Sequence, residues 1–256
     1  MSDNDHKIDK FEIGNFWELY KDLERQFEDF LEYVPYLEGN EGTYSFRLAN
    51  LILGIGGHVD SAFKEMARYP RFCHNNECKE ILALIEKSEE NIKQGKAPLT
   101  VPIWLPLKAF EKEYQLTRKR VIFKRLPDRE EILPFEPHNE KTNTPRWWEI
   151  YNGLKHDFSA NFKTANVRNT RDALAGAFLL NAIHIPSAIR MYKYGIIKPQ
   201  QSRSKFVRPS HATFSIGDDD YKEKLIDLYQ KTGGFVGMIE TSLFIFSYER
   251  QGEKSL

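Results

Sequence analysis

The sequence is poor in cysteine and has no long hydrophobic run. Its 256 residues include two cysteines, Cys73 and Cys78, which are too few for the disulfide framework of a small secreted domain. Their spacing is not that of a zinc motif, so we expect reduced thiols and no metal site. No apolar run approaches the roughly 20 residues that cross a bilayer, and residues 1–14 lack the basic start and apolar core of a signal peptide. We therefore predict a cytoplasmic protein without membrane contact. No pattern in the chain indicates a cofactor, and none is expected.

The chain also has no net charge, because 37 basic residues balance 37 acidic ones. The two signs are unevenly distributed along the sequence. Residues 1–100 carry 12 basic and 19 acidic side chains, whereas residues 159–209 carry nine basic side chains and one acidic one. Such a basic segment attracts polyanions, of which nucleic-acid backbones are the commonest. The alternative is that it faces the acidic N-terminal helices inside the folded protein, and the sequence leaves both open.

Apolar residues spaced three and four apart indicate amphipathic helices in the N-terminal third. We predict a first helix that ends before Pro35, a second that begins at Thr43 or Ser45, and a third over Asn76–Gly95. The apolar face of the first helix consists of Phe16, Leu19, Tyr20, Leu23, Phe27, Phe30 and Leu31. Three glycines in the second helix weaken its helix propensity and are expected to allow close helix packing: Gly54, Gly56 and Gly57.

The remaining chain mixes extended and helical patterns. Short β-branched runs broken by prolines predict a small β insertion at about residues 98–140. Thr144 and Pro145 predict the N-cap and first residue of another helix. A strongly apolar helix should begin between Thr164 and Thr170 and end or kink at Pro186. The sequence thus predicts a mainly α protein, in which residues 1–200 form a helical bundle and residues 201–256 form a C-terminal β/α elaboration packed on the same domain. In that elaboration, residues 218–231 read as a helix and residues 237–250 as a strand.

The stretch RWWEIYNGLKHDF, residues 146–158, holds the candidate chemistry. On a helix, one stripe is apolar and is expected to be core: Trp147, Tyr151, Leu154 and Phe158. The adjacent stripe carries Trp148, Asn152, Lys155 and His156, with Asn152 and His156 one turn apart. A positioned histidine can act as general acid or base, and Arg146 or Lys155 could stabilise charge on a phosphate.

Two interpretations of this second stripe remain open. In the functional one, His156 is the acid/base, Asn152 orients it, Lys155 or Arg146 stabilises the phosphate, and RNA also contacts Lys163, Arg168 and Arg171. In the structural one, Lys155 and His156 are cations at the negative end of a helix, and Asn152 belongs to a polar packing network. His58 is a further candidate that could face this stripe, whereas His184 is expected to be a core histidine.

Three stretches carry a resemblance to known proteins: WWEIYNGLKHDFSANFKTANVRNTRDALAGAFLL, YSFRLANLILGIGGHVDSAFKEM and ILPFEP. Across about residues 16–190 the chain resembles a group of mostly uncharacterised prokaryotic proteins with a WWxxYNxxKH motif, and more distantly the HEPN superfamily. The resemblance implies a helical bundle, dimerisation, and RNA cleavage in phage defence or toxin–antitoxin systems. It further implies metal-independent catalysis by an Arg-x(4–6)-His motif at the dimer interface. We accordingly expect a homodimer.

The sequence departs from that HEPN motif. The positions at the required distances before His156 hold Glu149, Ile150 and Tyr151, and Arg146 lies ten residues back. The one literal match, from Arg68 to His74, contains a proline and is treated as chance. Two functions are therefore predicted as alternatives. The first is a HEPN-like endoribonuclease, and the second is a non-catalytic module that binds nucleic acid or a partner protein of a defence system.

Overall fold

The computed structural model describes residues 15–68, 75–124, 130–138, 143–184, 197–199 and 237–247. These residues form a mainly helical bundle with one small antiparallel sheet, which confirms the predicted fold class. The α-helices are α1 Asn15–Leu31, α2 Phe46–Ala67, α3 Asn76–Lys93, α4 Trp104–Tyr114, α5 Arg146–His156, α6 Phe158–Asn161 and α7 Val167–Ile183. The strands are β1 Val121–Phe123, β2 Glu130–Ile132, β3 Ile197–Pro199, β4 Gly237–Glu240 and β5 Phe244–Ser247. Short 3-10 turns occupy Leu116–Arg118 and Phe162–Thr164.

Helix α2 lies at the centre of the bundle and packs against α1, α3, α5 and α7. Its start follows the prediction, because the Ser45 side chain accepts the backbone N–H of Leu48 at 3.2 Å. Helices α3 and α7 begin in the same way, with Asn75 and Asn166 as their side-chain caps. Such caps satisfy amide groups that have no partner within the helix. None of the described helices is long and apolar enough to cross a membrane.

The sheet joins two distant parts of the chain. Its strand order is β2-β1-β5-β4-β3, and the pairs are antiparallel. β1 and β2 come from the predicted insertion, whereas β4 and β5 come from residues 237–247. The single strand predicted for residues 237–250 is therefore wrong in detail: the chain forms a hairpin that turns at Thr241–Leu243, and Leu243 and Phe244 enter the core.

Three local predictions need correction, and the start of α7 is confirmed. The segment at 98–140 contains helix α4, because Pro106 falls in the first turn of that helix, where its missing N–H costs no hydrogen bond. Helix α5 begins one residue later than predicted, with Pro145 at the N-cap, and the Thr144 hydroxyl donates to Glu149 instead. Cys78 is disulfide-bonded and not a reduced thiol. Helix α7 begins at Val167, inside the predicted range, and ends at Ile183, before Pro186.

Several predictions lie outside the described residues. They include the helix at residues 218–231 and the basic side chains of residues 185–196 and 200–209. The boundary at residue 200 between bundle and elaboration likewise stays a prediction.

Candidate nucleic-acid interface

One face of α5 is locked into the bundle by close contact with two glycines. The Trp147 indole N–H donates to the Pro134 carbonyl at 2.6 Å, and a Cβ at Gly176 on α7 would lie 2.9 Å from the indole ring. A Cβ at Gly56 on α2 would lie 2.2 Å from the Tyr151 ring. Trp147, Tyr151 and Leu154 of the predicted core stripe are buried, whereas Phe158 is half-buried and begins α6. Trp148, predicted for the adjacent stripe, is buried as well. Gly56 has the packing function that the sequence indicates.

A second set of contacts ends α5 and redirects the chain at the start of α6. The Asn161 side-chain amide donates to the carbonyls of Gly153 and Asp157 at 3.1 and 2.8 Å. A Cβ at residue 153 would lie 2.7 Å from the Asn161 carboxamide, so the glycine makes room for this bond. The Asp157 carboxylate accepts the N–H of Ala160 at 3.0 Å and caps α6. As a result, Lys155 and His156 lie at an exposed helix end, followed at once by a new turn.

The structure separates the four residues predicted to be catalytic. Arg146 and His156 are the first and last residues of α5, roughly 15 Å apart along the axis at 1.5 Å per residue. Both are exposed, as is Lys155, whose Nζ lies 5.9 Å from the centroid of the Tyr151 ring. Asn152 is half-buried, and within the described residues no hydrogen bond joins it to His156. Lys155 and His156 therefore share one surface, and Arg146 is remote from it.

Arg171, predicted to bind RNA, is buried and its guanidinium is occupied. Its Nε and one terminal nitrogen contact Asp172 Oδ1 at 2.8 and 2.7 Å. The other terminal nitrogen donates to the Tyr36 hydroxyl and to Glu130 on β2, and the guanidinium carbon lies 5.1 Å from the Tyr36 ring centroid. Burial raises the pKa of Asp172, an effect that Arg171 partly offsets. This network ties α7 to the sheet and leaves Arg171 with little capacity for a phosphate.

Arg168 and Lys163, also predicted to bind RNA, are exposed. The Arg168 guanidinium forms an ion pair with Glu41, and its backbone N–H donates to the Glu41 carbonyl at 3.1 Å. The neighbouring Val167 N–H donates to the Thr43 carbonyl at 3.0 Å. These bonds fasten the start of α7 to the loop before α2, so Arg168 lies beside the residues that enter α2.

Four aromatic side chains meet on this same surface. Phe46, the first residue of α2, has its ring centroid 4.5 Å from Phe162 and 5.9 Å from Phe158. Phe158 and Phe162 are stacked at 5.6 Å, and Tyr44 lies edge-on to Phe162 at 5.4 Å. Phe46 is 68% exposed and Tyr44 is 43% exposed. We call Tyr44, Phe46, Phe158 and Phe162 the aromatic platform.

Sequence reasoning missed Tyr44 and Phe46 as surface residues of a site. A signal was present, since Phe46 stands two residues before Leu48 and so falls outside the three- and four-residue spacing of the α2 apolar face. The contacts of Phe46 could not be predicted from the sequence, because Phe158 and Phe162 lie more than 100 residues further along the chain.

The buried histidines lie away from this surface. His58 Nε2 is 2.8 Å from the side-chain nitrogen of Asn181 on α7, not beside Asn152. The Phe16 ring packs against both His58 and His184, at 5.5 and 5.4 Å between centroids. Burial lowers the pKa of His58 to about 4 and that of His184 to about 3, so both are neutral at pH 7. Both are core residues.

Among the described residues, no three histidine, cysteine or acidic side chains come together as a metal site would require. Comparisons with family models, with curated proteins and with solved structures found no match to this chain.

Proposed function

We propose that the protein binds single-stranded RNA on the aromatic platform. The observation that carries the proposal is the exposed ring of Phe46 in contact with Phe158 and Phe162. Exposed aromatic clusters are unusual on a soluble surface, because burying a ring stabilises a fold by about 1.5–3 kcal/mol. A ring left in solvent beside three other rings offers a stacking surface, and every base has a flat face that can stack.

Basic residues flank the platform rings in sequence and suit a phosphate backbone. Lys155 and His156 precede Phe158, with the exposed Asp157 between them and the ring, and Lys163 directly follows Phe162. All three side chains are exposed. Single-strand-binding surfaces combine stacking rings with a basic path for the backbone. The arrangement favours single strands over duplexes, whose bases are already stacked and paired.

Binding is supported better than cleavage. General acid–base cleavage needs a positioned histidine and a cation that stabilises the developing charge. Within the described residues no hydrogen bond joins Asn152 to His156, and Arg146 is at the other end of α5, so Lys155 is the predicted cation that lies on the same surface as His156. The exposed imidazole of His156 keeps a second hypothesis open, in which His156 and Lys155 cleave RNA in a homodimer of the kind that the HEPN resemblance implies. The partner protein of a defence system and the homodimer itself remain predictions.

The direct test is fluorescence anisotropy with a labelled single-stranded RNA of about 12 nucleotides, within the range of single-strand binding sites. Phe46→Ala should raise Kd by about 5-fold to more than 100-fold, since stacking on one aromatic ring contributes about 1–3 kcal/mol. Trp104→Ala is the matched control, because Trp104 is an aromatic residue on α4 that is 49% exposed. Thermal unfolding of both variants checks their folding.

The salt dependence of Kd tests whether the basic residue Lys163 contacts an RNA phosphate. Lys163→Gln should reduce the slope of log Kd against log salt by about 0.7, the value for one phosphate contact on a single strand. Equal affinity of wild type, Phe46→Ala and Trp104→Ala, or no binding at low salt, would refute the proposal. Denaturing gels of the same RNA with wild type and His156→Ala test the cleavage hypothesis separately.

A further inference from the structure

Arg168 is an exposed arginine two residues after Asn166, whose backbone pairs with Tyr44 of the platform. Its charge is already matched within the chain. Its guanidinium pairs with Glu41, and the Arg168 side chain remains 59% exposed while that of Glu41 is 25% exposed. The neighbouring Arg171 is matched separately by Asp172 and Glu130. Glu41 is thus the carboxylate that a phosphate would have to displace from Arg168.

The backbone around this pair is fixed, so the side chains can exchange partners without moving the loop. The Glu41 carbonyl accepts the Arg168 N–H, and Tyr44 pairs with Asn166 in an isolated antiparallel bridge. Neither contact uses the Glu41 carboxylate. A planar guanidinium donates hydrogen bonds to carboxylate and phosphate oxygens in the same forked geometry.

We propose that the Glu41 carboxylate pairs with the Arg168 guanidinium in the free protein and that a phosphate of the RNA backbone replaces this carboxylate when RNA binds. This inference rests on the proposed function of the platform. Glu41 then sets affinity by competition: it prevents Arg168 from binding anions indiscriminately, and it lowers the affinity for RNA. Exposed ion pairs are weak, so a phosphate contact can replace the pair between Glu41 and Arg168.

The test is a double-mutant cycle of Glu41→Gln and Arg168→Gln, measured by anisotropy with the same single-stranded RNA. Glu41→Gln should tighten binding by about three- to fivefold and steepen the salt slope by about 0.7. Arg168→Gln should remove this gain in the Glu41→Gln background, and should change Kd less in the wild-type background. The substitution at Glu41 retains the backbone carbonyl that anchors the loop, and thermal unfolding verifies this.

Asp29→Asn is the matched control. Asp29 pairs with Arg47 at 3.5 Å, and both side chains are about half exposed, at 47% and 45%. The change in net charge is identical and lies close to Phe46, but it does not involve Arg168. Asp29→Asn should therefore show no coupling to Arg168→Gln.

The outcomes separate the two proposals. If Phe46→Ala abolishes binding but the Glu41 and Arg168 effects simply add, the platform binds RNA and the exchange is refuted. The exchange is equally refuted if Glu41→Gln and Asp29→Asn tighten binding alike, which would show a general effect of charge. If the wild-type protein binds no RNA, both proposals fail.

Discussion

Glu24 on α1 is a buried carboxylate that should make the fold less stable as pH rises. Its side chain accepts the Thr241 hydroxyl at 2.5 Å and the Leu243 N–H at 3.2 Å, so it holds the β4–β5 turn against α1. It is only 5% exposed. Desolvation by burial outweighs these hydrogen bonds and raises the pKa of Glu24 from its ordinary 4.5 to about 7.

The sign and size of the effect follow from the two pKa values. Between pH 4.5 and about 7 the folded protein holds a proton on Glu24 that the unfolded chain has released. Stability therefore falls as pH rises through this window, and the loss is complete above the folded pKa. A shift of this size corresponds to about 3 kcal/mol at about 1.4 kcal/mol per pKa unit. Glutamine at position 24 retains an acceptor for Thr241 and Leu243 but never ionises.

Glu24→Gln should accordingly gain stability relative to wild type as pH rises, by up to about 3 kcal/mol between pH values of about 5 and 8. Urea unfolding of both proteins across this range gives the difference at each pH. His58 and His184 also change stability with pH, but they are present in both proteins and cancel in the difference. Glu18→Gln is the control on the same helix, because Glu18 is 46% exposed in a surface ion pair with Lys21.

A difference that stays constant with pH would refute the reasoning, since it would mean that the bonds from Thr241 and Leu243 compensate the ionised carboxylate in full. If Glu24→Gln lost stability relative to wild type as pH rises, the contradiction would be stronger, because the fold would then favour the ionised Glu24 carboxylate.

Two further changes test the packing of α5. Gly56→Ala should destabilise the protein by about 1–3 kcal/mol in urea unfolding, because the new methyl group overlaps the Tyr151 ring; Gly57→Ala, with open space around its Cβ, should be neutral or stabilising. Asn161→Ala should lower the free energy of unfolding by about 1–2 kcal/mol through loss of its bonds to two carbonyls. It should also weaken RNA binding. Retained affinity in a folded variant would show that the platform does not depend on this turn.

The helices were predictable because their signals are local. The start of α2 at Ser45, the end of α3 before Gly95 and the start of α7 between Thr164 and Thr170 are each predictable from a few neighbouring positions. The helix α4 was missed because its prolines were read as breaks in strands, although Pro106 is harmless in a first turn. The hairpin at residues 237–247 was missed because its dense β-branched and aromatic residues hide the turn at Thr241–Leu243.

The site could be predicted only in part, for a different reason. Lys155 and His156 share an exposed surface, as their position at a helix end suggests. Arg146 is far from them because it lies ten residues earlier, at the other end of α5. Arg171 is buried, and its partners Glu130 and Tyr36 are distant in sequence, so its burial could not be predicted. Contacts of this kind depend on tertiary packing, which no local pattern encodes.

The structural and functional interpretations of the YNGLKH stretch do not exclude each other. Asn161 returns to the Gly153 carbonyl and so sets the turn between α5 and α6. That turn brings Phe158 and Phe162 into contact with Phe46. Because Gly153 has no Cβ, the turn can be this tight. The glycine and the asparagine would thus shape an RNA-binding surface without touching RNA, and the tryptophan and tyrosine of the same stretch hold that surface on the bundle.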